Sequence, residues 1–190
     1  MPVQLLVGVA ALVGIGALLL FGRRLASTWL RYRGTRVVVC PENREMVAVA
    51  VDARHAALTA GPGRPDLRLE ACTRWPEKAH CGQECLGQIE GAPDACLLRN
   101  ILADWYRDKT CAFCARPIGT VAWHEHKPGL VSPAGALLDW NSFRAEEVVD
   151  VLGTHEPVCW DCVVAEGFRR AHPELVTDRS SRPSPPPSMA

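Results

Sequence analysis

The sequence predicts an α+β fold in which one N-terminal transmembrane helix is followed by a small domain of short strands and helices. An almost unbroken apolar run at the start of the chain indicates the helix, and short β-rich runs that alternate with helical patterns indicate the domain. Nine cysteines among 190 residues are an odd number, which argues against a complete set of internal disulfides. We therefore expect the domain to be stabilised by bound metal.

The apolar run covers Val3–Phe21 and is interrupted only by Gln4. As a helix it approaches the thickness of the hydrocarbon core of a bilayer, about 30 Å at about 1.5 Å per residue. We assign residues 1–22 to a transmembrane helix and residues 23–35 to a basic juxtamembrane segment. A cleaved signal peptide is the alternative, but it requires a basic N-terminal region, and Met1–Gln4 contains no Lys or Arg.

Basic residues flank the apolar run on its C-terminal side. The first acidic residue is Glu42, and before it stand Arg23, Arg24, Arg31, Arg33 and Arg36. The positive-inside rule places such a flank in the cytoplasm. The sequence therefore predicts a single-pass protein of the cell membrane with a cytoplasmic C-terminal domain.

We interpret residues 36–109 as a first cysteine-rich subdomain. Two β-rich runs, Val37–Val39 and Met46–Val51, flank a turn and predict a hairpin that carries Cys40. A further short strand, Leu67–Glu70, is expected to lead into Cys72.

Two helices are predicted in the same subdomain, over Gly82–Ile89 and Ala95–Tyr106. The second has apolar residues at helical spacing, and these should face the core: Leu98, Ile101, Leu102 and Trp105.

Residues 110–177 form a second subdomain, and residues 178–190, rich in Ser and Pro, are expected to be a disordered tail. Within this subdomain the patterns predict two strands and two helices. The strands are Val121–Trp123 and Leu137–Trp140, and the helices are Arg144–Leu152 and Asp161–Ala171.

Two CxxC pairs in the second subdomain are the strongest chemical signal in the chain. Cys111 and Cys114 form one pair, and Cys159 and Cys162 form the other. Two cysteines three apart across a tight turn can both direct their sulfur atoms at one ion, and four thiolates complete a tetrahedral zinc site. Because such a closed site leaves no open position for a substrate, the metal is expected to be structural.

The order of these pairs resembles a treble-clef zinc finger. The segment CysAlaPheCysAlaArgProIleGly looks like a zinc knuckle, and the second pair stands at the start of a predicted helix. The resemblance covers Cys111 to about Pro173 and implies a knuckle, a hairpin and a helix around one zinc ion. The 44 residues between the two pairs, 115–158, would contain an insertion.

A second quartet is available in the first subdomain. Cys40, Cys72, Cys81 and Cys85 would supply the ligands of a second zinc site, and Cys96 is left over as a possible additional ligand in place of Cys40. The alternative is an iron–sulfur cluster held by Cys72, Cys81, Cys85 and Cys96. Zinc is favoured over iron–sulfur because no compact CxxCxxC spacing is present.

Composition and the absence of known motifs limit the other functions that the sequence supports. Lys plus Arg and Asp plus Glu number 21 each, so no global charge attracts nucleic acid, which is disfavoured as a partner. No phosphate loop, nucleophile elbow or HExxH motif is present in the sequence, which leaves catalysis unsupported. The sequence favours a membrane-anchored zinc protein that serves as an interaction or assembly module for another membrane protein or a membrane-bound complex. An iron–sulfur electron carrier or redox sensor is the alternative.

Overall fold

The first element is one long helix, α1, over Pro2–Tyr32. The computed structural model describes residues 2–61, 63–78 and 80–175, so the predicted disordered tail lies outside the described residues. Among the described residues, Val7–Tyr32 is the one helix long and apolar enough to cross a membrane, with a mean hydropathy of 1.8 and no burial against the rest of the chain in its most apolar part. The juxtamembrane segment thus continues the same helix up to Tyr32.

The C-terminus of α1 is capped by a buried arginine. Arg36 has no exposed surface, and its Nη1 donates hydrogen bonds to the carbonyl oxygens of Tyr32 at 2.6 Å and Gly34 at 3.2 Å. Its Nη2 donates to the carbonyl oxygen of Arg31 at 2.5 Å. Gly34, two residues beyond the end of the helix, has a φ of 98°, which is readily adopted only by glycine. The guanidinium therefore satisfies carbonyls that the end of a helix leaves without partners.

An antiparallel sheet in the order β1-β2-β3 follows. β1 is Thr35–Val39, β2 is Met46–Val51 and β3 is Leu69–Cys72. The predicted hairpin and the strand leading to Cys72 are therefore confirmed. Cys40 stands in the turn between β1 and β2, directly beyond the last residue of β1.

A short helix that the sequence analysis missed, α2, covers Ala53–Thr59. The Asp52 side chain accepts a hydrogen bond from the backbone N–H of His55 and caps it. Its alanines at 53, 56 and 57 are buried, and α2 packs against α1. Together, α2 and the Arg36 cap attach the first sheet to the end of α1.

The two predicted helices of the first subdomain are present with shifted bounds. α3 is Leu86–Gly91 and α4 is Leu98–Arg107. Leu102 of α4 is buried as expected, but the most deeply buried residue of α4 is Tyr106. Its hydroxyl donates to the carbonyl oxygen of Gly129 at 2.7 Å and accepts from Trp140 Nε1 at 3.1 Å. Tyr106 thus ties α4 to the second half of the domain.

A second antiparallel sheet has the order β5-β4-β6. β4 is Gly129–Val131, β5 is Leu137–Leu138 and β6 is Glu156–Val158. β5 confirms the start of the strand predicted over Leu137–Trp140, whereas β4 and β6 were not predicted.

The strand predicted over Val121–Trp123 is wrong. The N–H groups of Glu125 and His126 both return to the carbonyl oxygen of Ala122, which makes a turn there. Trp123 packs against the apolar cluster that contains Tyr106. Val121 packs against the same cluster, so the β-like composition of the segment reflects partial burial of its apolar side chains in a turn.

Two further helices complete the domain, α5 over Val148–Thr154 and α6 over Trp160–Ala171. The predicted Arg144–Leu152 helix begins with a 3-10 turn over Ala145–Glu147 before α5 starts, and it continues past Gly153. The helix predicted over Asp161–Ala171 is confirmed as α6. Other 3-10 turns lie at Trp140–Ser142 and Pro173–Leu175.

We expect Arg36→Ala to lower the free energy of unfolding by about 1–3 kcal/mol, because it leaves buried carbonyl groups without a donor. Arg99→Ala, which removes an exposed arginine of α4, should change it by less than about 0.5 kcal/mol. Urea unfolding of the full chain in detergent, followed by tryptophan fluorescence, compares the two variants. Equal effects of the two substitutions would contradict the capping role.

Candidate metal centre

The first CxxC pair stands at the tip of a tight hairpin. Cys111 N–H donates to the carbonyl oxygen of Arg116 at 2.9 Å, and Thr110 pairs with Pro117 across the hairpin. The Cys111 carbonyl accepts from Ala115 N–H at 2.9 Å. Ala115 has a φ of 56°, a left-handed conformation that costs a non-glycine residue about 1–2 kcal/mol. This turn places both Cys111 and Cys114 on the inner side of the hairpin.

The second pair stands at the start of α6. Cys159 is the residue that precedes the helix, and Cys162 lies in its first turn. The hairpin is joined to β6 by the Ala112 N–H, which donates to the carbonyl oxygen of Pro157 at 2.9 Å. In addition, Cys159 N–H donates to Cys111 Sγ at 3.3 Å. The two pairs are thus held together by backbone hydrogen bonds as well as by packing.

The close approach of α6 to the second sheet requires a glycine. A Cβ atom at Gly129 of β4 would lie 2.8 Å from Cγ2 of Val163 and 3.2 Å from the carbonyl oxygen of Leu138. Val163 follows Cys162 directly, so the contact sets the depth at which the first turn of α6 sits. Around the sulfur atoms, the buried side chains of Val131 and Val158 form an apolar lining.

The four sulfur atoms form one compact cluster. All of them lie within 4.8 Å of one another, and Cys114 Sγ is 3.8 Å from Cys159 Sγ. Tetrahedral coordination with metal–sulfur bonds of about 2.3 Å requires sulfur–sulfur separations of about 3.8 Å. All nine cysteines lie in the described part of the chain, and all are free thiols. The arrangement therefore fits a metal ion, and its sulfur atoms are not paired in disulfides.

The thiols differ in how easily they ionise. The backbone N–H and then the guanidinium of Arg116 lower the pKa of Cys114 to about 6. Burial raises the pKa of Cys111, but three backbone N–H groups, led by that of Cys159, outweigh it and the pKa is lowered.

The thiols of the second pair resist ionisation. Burial, followed by repulsion from the sulfur atoms around them, raises the pKa of Cys162. The pKa of Cys159 is raised too, with burial again the largest cause. Four negative sulfur atoms this close repel one another, and a divalent cation at their centre removes that repulsion.

Arg116 is a residue of this site that the sequence analysis did not identify. Beyond its hydrogen bonds to Cys114, its Nη2 lies 3.6 Å from Asp161 Oδ2 at the start of α6. A basic residue two positions after a CxxC pair is a common surface feature, and only the fold shows that it reaches the sulfur.

The first cysteine group is less compact. Cys85 is buried, Cys40, Cys72 and Cys96 are half-buried, and Cys81 is exposed. Within the described residues, no second set of three or more metal-ligating side chains is gathered as closely as the four cysteines of the second group. Cys96 Sγ is directed at the carbonyl oxygen of Gln88, 3.8 Å away.

Comparison with known proteins returns no relative. No family model matches the chain, and neither a curated protein nor a solved structure is similar to it.

Proposed function

We propose that this chain is a single-pass membrane protein whose cytoplasmic domain binds structural zinc and serves as an interaction or assembly module. The observation that carries the proposal is the cluster formed by Cys111, Cys114, Cys159 and Cys162, with all sulfur atoms within 4.8 Å of one another. The apolar helix α1 supports the membrane part of the proposal.

Zinc is the ion that suits this cluster best. Four thiolates around a tetrahedral ion are typical of structural zinc, because Zn²⁺ has no geometric preference of its own and binds soft sulfur well. The order of elements also supports a treble-clef arrangement: the hairpin at Cys111–Cys114, the pair β4–β5, and then α6 with the second pair. With all four positions taken by protein sulfur, the ion holds the hairpin against the helix and leaves no coordination site for a reaction.

The role we assign to the zinc ion is to stabilise the fold of the second half of the domain. The second sheet consists of strands of only two or three residues, and so small a sheet buries little apolar surface. Structural zinc supplies on the order of 10 kcal/mol of folding free energy. The ion therefore adds to the stability that the small apolar clusters of this half of the domain provide.

The exposed face of α6 is the surface we assign to a partner. Val164 and Phe168 lie one helical turn apart and are 48% and 53% exposed, and Leu175 beyond the helix is 60% exposed. Trp160 lines the same groove, whose volume is about 600 Å³. Because α1 would restrict the domain to the membrane surface, we expect the partner to be another membrane protein or a membrane-bound complex.

Cys114→Ser is expected to leave the purified chain with one zinc ion fewer than the wild type and to lower the free energy of unfolding by several kcal/mol, because three thiolates bind zinc more weakly. Cys96→Ser, in which the changed thiol lies outside the cluster, should keep the full zinc content. Elemental analysis of the two purified variants and the wild type gives the zinc-to-protein ratios that are compared. Unchanged zinc in Cys114→Ser would refute the site.

The orientation can be tested with reporter fusions in cells. A fluorescent protein that matures only in the cytoplasm, fused after Leu175, should be bright, because the arginines after Phe21 keep this side of the helix in the cytoplasm. An exported enzyme fused at the same position should be inactive. The opposite pattern, or a mature chain that has lost its first residues, would overturn the topology or the anchor.

A photoreactive amino acid in place of Phe168 is expected to give a crosslinked adduct with a membrane protein in membranes of the native cell, because the exposed ring lies on the assigned surface. The same reagent in place of Glu90, exposed on α3, is the matched control. Mass spectrometry of the adducts identifies the partner. Equal adducts at both positions, or none at Phe168, would exclude this face as the interaction surface.

A further inference from the structure

The turn that carries Cys40 has the same backbone design as the turn that carries Cys111. Cys40 N–H donates to the carbonyl oxygen five residues ahead, Glu45, at 2.8 Å, and its own carbonyl accepts from Arg44 N–H at 2.8 Å. The corresponding distances in the second turn, to Arg116 and from Ala115, are both 2.9 Å.

The residue at the fourth position after each cysteine completes the likeness. Arg44 has a φ of 62° and Ala115 a φ of 56°, although neither is a glycine. Two turns that both adopt this uncommon conformation at the same position have the same shape. The turn after β1 is therefore a second knuckle.

The likeness extends to the sulfur atom. The backbone N–H groups of Glu42 and Asn43, two and three residues after Cys40, are directed at its Sγ. The Cys111 sulfur likewise accepts hydrogen bonds from the N–H groups of Phe113 and Cys114, which are also two and three residues further along the chain. Such N–H groups stabilise a thiolate. The one chemical difference is that Asn43 stands where the second turn has Cys114.

The other cysteines of the first group stand at the end of β3 and just before α3. Cys72 ends β3, which pairs with β2 on the side away from β1, and it packs against the apolar cluster that contains Cys85, as Cys40 and Cys96 also do. Cys85 is the residue that precedes α3, as Cys159 precedes α6. The first group thus repeats the order of the second, a knuckle and then a pair of cysteines near the start of a helix, with Cys72 in the place of the missing knuckle ligand.

A cavity lies between the β1–β2 turn and the start of α3, and Cys72 is not part of its lining. Its volume is about 560 Å³, and Cys40, Cys81 and Cys85 all line it. Burial, and after it the sulfur atoms of Cys72, Cys81 and Cys40, raises the pKa of the Cys85 thiol. Cys40 lines the cavity and Cys96 does not, and Cys96 Sγ is directed at the carbonyl oxygen of Gln88, which favours Cys40 over Cys96 as the fourth member of the group.

The charges around the cavity suit a thiolate site. Arg74 Nη1 lies 3.0 Å from Cys40 Sγ and 3.0 Å from Glu42 Oε2, and Lys78 Nζ lies 2.5 Å from Glu42 Oε1. The arginine offsets part of the negative charge that several thiolates would gather. Cys81 is exposed and lies outside any helix or strand, so no regular secondary structure fixes its position.

We propose that Cys40, Cys72, Cys81 and Cys85 bind a second zinc ion, which closes the cavity between the β1–β2 turn and the start of α3. The proposal is independent of the zinc site in the second group, because it involves four other cysteines on other elements. It also replaces the iron–sulfur interpretation, which requires Cys96.

The first test is the zinc content of the full chain purified in detergent. We expect two zinc ions per wild-type chain, one in Cys81→Ser and two in Cys96→Ser. Cys81 is the ligand to replace first, because an exposed thiol can become a hydroxyl without disturbing the core. One zinc ion in the wild type, or two in Cys81→Ser, would overturn the proposal. Cys114→Ser reports the other ion separately, so failure of either site is distinguishable.

The second test uses the likeness of the two knuckles to restore the site. Cys72→Ser should hold one zinc ion, and adding Asn43→Cys should bring the content back to two, because it recreates the CxxC spacing of the second knuckle. Asn43→Ser in the same background is the control and should not restore zinc. Two zinc ions in Cys72→Ser alone would exclude Cys72 as a ligand, and one in the double variant would refute the likeness of the turns.

A visible spectrum of the same samples distinguishes the metal. The zinc protein should be colourless, and its cobalt-substituted form should show thiolate-to-cobalt charge-transfer bands that weaken in Cys81→Ser. A brown protein with absorption that bleaches on reduction and is lost in Cys96→Ser would establish an iron–sulfur cluster and overturn the zinc proposal.

Discussion

The domain depends on bringing together sulfur atoms that repel one another once ionised. Cys111 and Cys114 arrive on a hairpin, and Cys159 and Cys162 arrive at the start of a helix, so the cluster joins two elements far apart in the sequence. Hydrogen bonds from the backbone lower the pKa values of the first pair, while burial raises those of the second. Without a cation, this balance cannot hold four thiolates at one point. The packing of β6 and α6 against the hairpin is thus coupled to the charge of whatever occupies the centre.

The parts of the fold that could be predicted are those whose signal is local. A CxxC spacing, the apolar run of α1, and the β-branched runs on either side of Cys40 each reveal their structure within a few residues. The four-cysteine cluster followed from the two CxxC pairs because this spacing has few other uses. The hairpin, β3 and α6 were predicted for the same reason, with bounds shifted by at most two residues.

The remaining parts depend on contacts across the chain, which no local pattern contains. β4 and β6 have three residues each and become strands only because they pair with each other. The composition of Val121–Trp123 indicates a strand, yet the segment leads into a hydrogen-bonded turn and Trp123 packs against the Tyr106 cluster. The likeness of the Cys40 and Cys111 turns is not visible in the sequence either. Asn43 stands at the position where a second cysteine would have formed a CxxC pair with Cys40, so only the backbone conformation shows that the two turns are alike.

The Arg36 cap has a mechanical consequence for the whole protein. α1 continues without a break from the apolar run to Tyr32, and the part beyond Phe21, 11 residues at about 1.5 Å each, is about 16 Å long. The guanidinium of Arg36 and the packing of α2 attach the first sheet to the C-terminal end of α1. The sheet is therefore held rigidly to the helix. If α1 crosses the membrane, the local bilayer thickness that sets its tilt would also set the height and the direction in which α6 faces its surroundings.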